Sequence, residues 1–298
     1  MLDWVNIAVP PAPALFGQLL IGLINGAFYA MLSLGLAVIF GLLNIINFAH
    51  GALYMLGAFC AYLLLNFFGI GYWPSLIIAP IVVGAFGMAL ERLFIRHVYK
   101  LDHLYGLLLT FGMALIIEGL FRQKYGVAGQ TYSIPEALSG GQNLGFMFLP
   151  NYRAWVIVAS TFFCFGTWFI IERTRLGAYL RAATENPVLV QAFGINVPRM
   201  ITLTYGFGVG LAALAGVMAA PIYQVSPLMG SNLIIVVFAV VVIGGMGSIL
   251  GAIVSGFALG VIEGLTKVFY PEASATAIFA IMVVVLLVKP AGLFGRRA

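Results

Sequence analysis

Charge is what this sequence has least of. Asp, Glu, Lys and Arg make up 8% of its 298 residues, against roughly a quarter in an ordinary soluble domain. That scarcity excludes a water-soluble globule. With 63% hydrophobic residues and a mean hydropathy of +1.10, it leaves an all-α, polytopic transmembrane bundle. Cysteine is nearly missing as well. Cys60 and Cys164 stand alone in separate apolar runs, which excludes a disulfide framework and leaves two small core residues. The pair Gly-Lys never occurs, so there is no Walker A loop and no nucleotide motor within the chain. No HExxH, no GxSxG and no Cys/His cluster appears, which removes the usual signatures of an enzyme and of a metal site. A basic n-region is also missing. The opening MLDWVNIAVPPAPALF, with Pro10, Pro11 and Pro13, reads as a retained tail and not as a cleaved signal peptide.

Apolar runs of spanning length fall near 15–40, 48–68, 74–95, 104–124, 153–171, 201–222, 231–247, 249–269 and 274–289. Each is expected to be helical, because backbone in hydrocarbon must satisfy its own hydrogen bonds. Two places are irregular. The 231–269 stretch is long for one span and tight for two, with a break at 244–248, GGMGS. The 41–51 stretch, GLLNIINFAHG, reads as broken or re-entrant. The count is therefore eight to ten segments in a single transmembrane domain over 1–298.

The net charge of +5 sits in short interhelical loops, so it reports topology and not a nucleic-acid surface. If the loops 96–103 and 172–199 and the C-terminus share one side, that side holds Arg92, Arg96, Lys100, Arg173, Arg175, Arg181, Arg199, Lys289, Arg296 and Arg297. The other side holds Arg122, Lys124, Arg153 and Lys267, a split of 10 to 4 that accounts for all 14. The richer side is expected to be cytoplasmic, with the C-terminus on it. The long loop 125–152, uncharged apart from Glu136, is then periplasmic. It reads as a connecting loop, or as a platform for an extracytoplasmic partner. Small residues recur at four-residue spacing at Gly22 and Gly26, Gly206 and Gly210, Gly247 and Gly251, and Gly256, Gly260 and Gly264, the pattern of closely approaching helices.

The stretch 172–199 is the most polar part of the chain. Asn186 suits an N-cap, Pro187 the first helical position and Gly194 a left-handed stop. A helix over 187–193 is about 10 Å long, too short to span. Its apolar residues, among them Val190 and Phe193, go nearly all round. They need a cover, either the bundle itself or a docking partner.

Four intramembrane groups come in pairs. Glu118 has Arg122 four residues on, and Glu263 has Lys267 four residues on, so each carboxylate is expected to be neutralised within its own helix. That argues against a proton relay, which needs a free carboxylate. Asn44, Asn47 and His50 would cover about 120° of one helical face. They read either as the lining of a watery pathway or as an interhelical hydrogen-bond network.

Several stretches carry a resemblance. GLINGAFYAMLSLGLAVIFGLLNIINFAHGALYMLGAF (22–59), RAATENPVLVQAFGINVPRMITLTY (181–205), VVIGGMGSILGAIVSGFALGVIEGL (241–265) and KPAGLFGRR (289–297) resemble LivH-type permeases of branched-chain amino acid ABC importers. The resemblance implies a multi-pass subunit of a bacterial inner membrane with the bundle of ribose-type importers. It also implies four partners: a LivM-type second permease, two cytoplasmic ATPases of the LivG and LivF kind that hold ATP and magnesium, and a periplasmic binding protein. The segment with Arg181, Glu185, Asn186, Pro187, Val190, Phe193 and Gly194 is then the contact for the ATPases. One departure is plain. The EAA loop of many importer permeases is altered here, because Arg181 precedes Ala182-Ala183 and Pro187 stands where Gly would be. Its Ile-x-Leu-Pro ending is echoed by Ile195-Asn196-Val197-Pro198, two residues early. Branched-chain amino acids lead as substrates, with other amino acids, urea, amides and aromatic acids open. The rivals are an ion-coupled secondary transporter and an intramembrane enzyme.

Overall fold

A computed structural model describes residues 11–43, 46–99 and 101–295. Eleven α-helices are present among them: α1 Ala12–Leu43, α2 Ala49–Phe68, α3 Tyr72–Leu93, α4 His103–Tyr125, α5 Asn151–Arg173, α6 Arg175–Glu185, α7 Pro187–Ala192, α8 Val197–Ala219, α9 Ser231–Gly244, α10 Ile249–Phe269 and α11 Ser274–Val288. Eight segments are long and apolar enough to cross a membrane, and α9 is a shorter apolar helix. The chain is a multi-pass helical membrane protein.

The bundle has two distinct ends. Gln130 pairs with Val225 in an isolated antiparallel bridge, and the Tyr152 hydroxyl donates to the Met218 carbonyl. These contacts gather 69–72, 125–152 and 218–225 at one end. That end also carries a small hairpin, β1 Gly141–Asn143 against β2 Phe148–Pro150, with Gln142 opposite Leu149. The sequence reads as plain loop there. The hairpin forms because Gly145 takes φ 83° and the Asn143 side chain accepts from its N–H. Aromatic residues collect at this hairpin end, with Trp73 against Trp155 and Tyr72 against Tyr152. Such rings suit a membrane interface. The opposite, arginine end gathers 94–102, 172–199, 245–248 and 289–295. There the N–H groups of Leu293 and Phe294 donate to the Ile243 and Gly244 carbonyls and so satisfy the end of α9.

The core lies where α1 runs antiparallel to α10 and where α8 packs on α3 and α2. Glycine permits both approaches. A Cβ on Gly260 would lie 2.3 Å from the Gly26 backbone, and one on Gly22 would lie 2.5 Å from the Gly260 carbonyl. Gly206 and Gly210 likewise face α3. Gly247 differs from the sequence expectation: it sits at φ 83° in the turn between α9 and α10, against Gly41, and Gly251 abuts Gly244 across that turn. The 231–269 stretch thus resolves into two helices broken where expected. Within the 41–51 stretch α1 ends at Leu43, 46–48 are non-helical and α2 begins at Ala49. Asn44 lies outside the described residues, as do Lys100, Arg296 and Arg297.

Alpha-9 has 14 residues, about 21 Å at 1.5 Å per residue, which is short of a hydrocarbon thickness of about 30 Å. The non-helical segment 220–230 leads into α9. It enters from the hairpin end until Gly230 meets Gly51 of α2. Irregular backbone at such depth is tolerated where protein or a cavity surrounds it.

Candidate functional site

The 220–230 segment walls a cavity of about 370 Å³ in the hairpin half of the bundle. Asn25, Phe28 and Tyr29 enter it from α1, and Tyr54 from α2. Tyr223, Gln224, Ser226 and Met229 come from the segment itself, and Asn232 and Leu233 from α9. None of these side chains carries a formal charge. The Tyr223 hydroxyl donates to Asn25 Oδ1 at 3.2 Å. The Tyr29 hydroxyl donates to Glu263 Oε2 at 2.7 Å. The Tyr54 hydroxyl is buried and has no partner among the described residues.

The two carboxylate pairs read from the sequence behave differently. Lys267 Nζ contacts Glu263 Oε1, and with Tyr29 on its other oxygen Glu263 ties α1 to α10. Glu118 and Arg122 form no ion pair, a correction to the expectation. Glu118 is buried near Ser231, whereas Arg122 is exposed at the end of α4. A long side chain one turn from a helix end reaches the interface more cheaply than it turns inward.

Asn47 and His50 do not share a helical face, because α2 begins only at Ala49. The face expected of Asn44, Asn47 and His50 is thereby corrected for Asn47 and His50, and Asn44 lies outside the described residues. Asn47 Nδ2 donates to the Tyr205 hydroxyl at 2.9 Å, and His50 Nε2 lies 3.1 Å from the Leu32 carbonyl. Both are buried, and they link α1, α2 and α8 in this conformation.

At the arginine end the local grammar of 186–194 forms as read. Asn186 Oδ1 accepts from the Leu189 N–H, Pro187 opens α7, Phe193 closes it and Gly194 takes φ 82°. Val190 is the inward residue, packed with Ala183 and Val197. Phe193 is 78% exposed, Val188 76% and Leu189 54%. Alpha-6, which the sequence reading did not separate, lies beside α7 and across the tips of α1 and α5. A crevice lined by Gly41, Ile171, Gly177, Arg181 and Gly247 marks that junction. Arg181 braces it by donating to the Ile171 carbonyl at 3.2 Å and pairing with Glu172. Glu185 is exposed at the end of α6.

Sequence reasoning missed Glu91 and Tyr54. Glu91, at 1% exposure, accepts from the Tyr99 and Thr202 hydroxyls, both at 2.7 Å. Burial and the Glu91 carboxylate hold the Tyr99 hydroxyl protonated well above the usual tyrosine range. Beside Arg92, Glu91 looks in sequence like an ordinary span-end charge. Tyr54 sits in a plain apolar run, and no local signal marks it.

The comparisons with known proteins agree along nearly the whole chain. The high-affinity branched-chain amino acid transport system permease protein BraD of Pseudomonas aeruginosa is 31% identical over 94% of this chain and 95% of its own. LivH of Escherichia coli K12 is 30% identical at the same coverage. LivM of Escherichia coli K12 is 28% identical over 89% of this chain and 67% of its own. Among solved structures, PsaBC from Streptococcus pneumoniae in complex with Fab aligns at a TM-score of 0.45, with 11% identity over 90% of this chain and 89% of that one, too loose a match to add to the assignment. The model of the family described as branched-chain amino acid transport system / permease component matches residues 18–288, and this chain belongs to that family.

Proposed function

We propose that this chain is one of two membrane-spanning subunits of an ATP-driven importer and carries branched-chain amino acids, chemically unchanged, into the cytoplasm of a bacterial cell. The observation that carries the reading is the identity of 31% along 94% of the chain with a permease named for that transport. Similarity to both LivH and LivM of one organism supports a related second permease as partner. Two cytoplasmic ATPases hold ATP and magnesium, and a periplasmic binding protein delivers the substrate. Charge supports an arginine end, C-terminus included, that faces the cytoplasm, with the hairpin end in the periplasm.

Motion from the ATPases enters through α7. Val188, Leu189 and Phe193 form its docking face, and Asn186, Pro187 and Gly194 fix its ends. Val190 ties it to α8, and Glu185 and the neighbouring arginines orient the partner. Alpha-6, braced by Arg181, passes the movement to α1. Reconstitution of the complex in lipid vesicles tests this scheme. ATP-dependent leucine uptake is expected from the wild-type complex, with competition by isoleucine and valine but not by urea or amides. The variant Gly194→Val inserts normally, but backbone strain of about 1–2 kcal/mol at φ 82° disturbs the docking face. Its uptake per ATP hydrolysed should fall about tenfold. Leucine uptake by this chain alone, abolished by an uncoupler with ATP intact, would instead establish ion-coupled transport. Full coupling in Gly194→Val would remove α7 from the scheme.

A further inference from the structure

The uncharged cavity in the hairpin half has a property that its lining makes specific. Three of its walls are helices, and the fourth is the irregular 220–230 segment, whose backbone is held by the Gln130–Val225 bridge and by the close approach of Gly230 to Gly51. Its hydrogen-bonding groups include those of the exposed Tyr223 and Asn232, and its apolar surface comes from the more buried Phe28, Met229 and Leu233. Tyr54 lines the inner wall, 1% exposed, and its buried hydroxyl is without a partner among the described residues. A buried hydroxyl left unpaired costs free energy that a visiting polar group recovers. The remaining tyrosine of the wall is already committed, since Tyr29 donates to a Glu263 that Lys267 also contacts. No formal charge faces the space, so a bare cation or anion entering it would lose hydration without meeting a countercharge.

We propose that this cavity is a selectivity chamber on the import route, that it admits net-neutral solutes with a polar head and an apolar side chain, and that Tyr54 is its specificity-determining residue. The inference rests on the transport reading above and adds a place and a chemical rule to it. Tyr54 grips the head group while Phe28, Met229 and Leu233 hold the side chain. The chamber binds weakly because its contacts are neutral, and weak binding lets a solute leave inward.

The test uses the complete reconstituted complex and radiolabelled leucine. Tyr54→Phe removes one oxygen and keeps the ring. It is expected to lower kcat/KM for uptake about three- to tenfold, the worth of a neutral hydrogen bond. A second measurement does not depend on transport. Single cysteines at Tyr54, Asn232 and Phe59 are placed in a chain lacking Cys60 and Cys164 and treated with a small water-soluble thiol reagent. Phe59 is fully buried and lies outside the cavity. Labelling is expected at 54 and 232 and not at 59, with excess leucine slowing it at 54. Wild-type complex that moves no neutral amino acid would overturn the transport reading itself. Wild-type uptake with an unchanged Tyr54→Phe and an inert thiol at 54 would overturn the chamber alone.

Discussion

At the scale of single residues, the polar groups in this bundle sort by how far apart in sequence their partners lie. Glu91 is the clearest case. Its two hydroxyl partners are Tyr99, just beyond the end of α3, and Thr202 on α8, so one carboxylate joins a helix, the loop after it and a helix 111 positions away. Replacing it by Leu orphans the Tyr99 donor, whereas Thr202 keeps a contact with the Pro198 carbonyl. The expected cost is about 1–3 kcal/mol, that of leaving a buried hydroxyl without a partner. Thermal unfolding of the purified chain in detergent measures it. Glu91→Leu should melt several degrees below the wild type, Glu91→Gln should lie between them, and Glu185→Leu at an exposed site should hardly move. A Glu91→Leu chain as stable as Glu185→Leu would make the Glu91 contacts incidental. None of this was legible from position 91. The Asn186 cap and the Gly194 stop were legible, because their partners lie within three or four residues. Glu263 was legible only in half: Lys267 is one turn away, whereas Tyr29 is 234 positions off.

At the scale of elements, hydropathy placed the long spans to within a few residues, because hydrocarbon admits little else. It also placed the break at 244–248, where glycines interrupt the pattern. Alpha-6 escaped because its polar residues look like loop, and what makes it a separate helix is a corner. A Cβ on Gly177 would fall within 1.5 Å of the Ile171 carbonyl, so only glycine lets α6 fold back so tightly on α5. The start of α2 at Ala49 removed the helical face drawn through Asn47 and His50. The glycine rows were legible as packing faces, but not which rows meet. The pairing of the first with the last is now specific enough to test. Gly260→Ala puts a Cβ 2.3 Å from the Gly26 backbone, where neither helix has a flexible side chain to move. Overpacking of that kind costs about 1–3 kcal/mol. Gly112, on α4, has nothing within 4 Å of the same added atom. Gly112→Ala should therefore be neutral, or stabilising by up to about 1 kcal/mol through helix propensity. The same melting measurement compares them. Equal stability of the two variants would mean that α1 and α10 do not approach as described.

At the scale of the whole molecule, the two ends differ in charge, in capping and in surface. Among described residues the arginine end holds Arg92, Arg96, Arg173, Arg175, Arg181, Arg199 and Lys289, and the hairpin end holds Arg122, Lys124, Arg153 and Lys267, seven against four. Four helices that start at the arginine end are capped by side chains, Asp102, Asn186, Asn196 and Ser248. The aromatic cluster of Trp73, Trp155, Tyr72 and Tyr152 sits at the other end. Positive charge is retained on the cytoplasmic side during insertion, so α7 is expected in the cytoplasm and the hairpin in the periplasm. If α9 with its irregular lead-in counts as one pass, the described residues cross nine times, and α1 begins on the side opposite to that where α11 ends. Single cysteines at Ser139 and Thr184 test the orientation, since both residues are exposed and lie at opposite ends. Both native thiols are removed, Cys60 being partly buried and Cys164 fully buried. A membrane-impermeant maleimide applied to intact cells with a permeabilised outer membrane should label position 139 and spare 184. After lysis both should react. Labelling of 184 but not 139 in intact cells would invert the molecule. It would turn the Val188, Leu189 and Phe193 face away from any cytoplasmic ATPase, and the coupling role of α7 would fall with it.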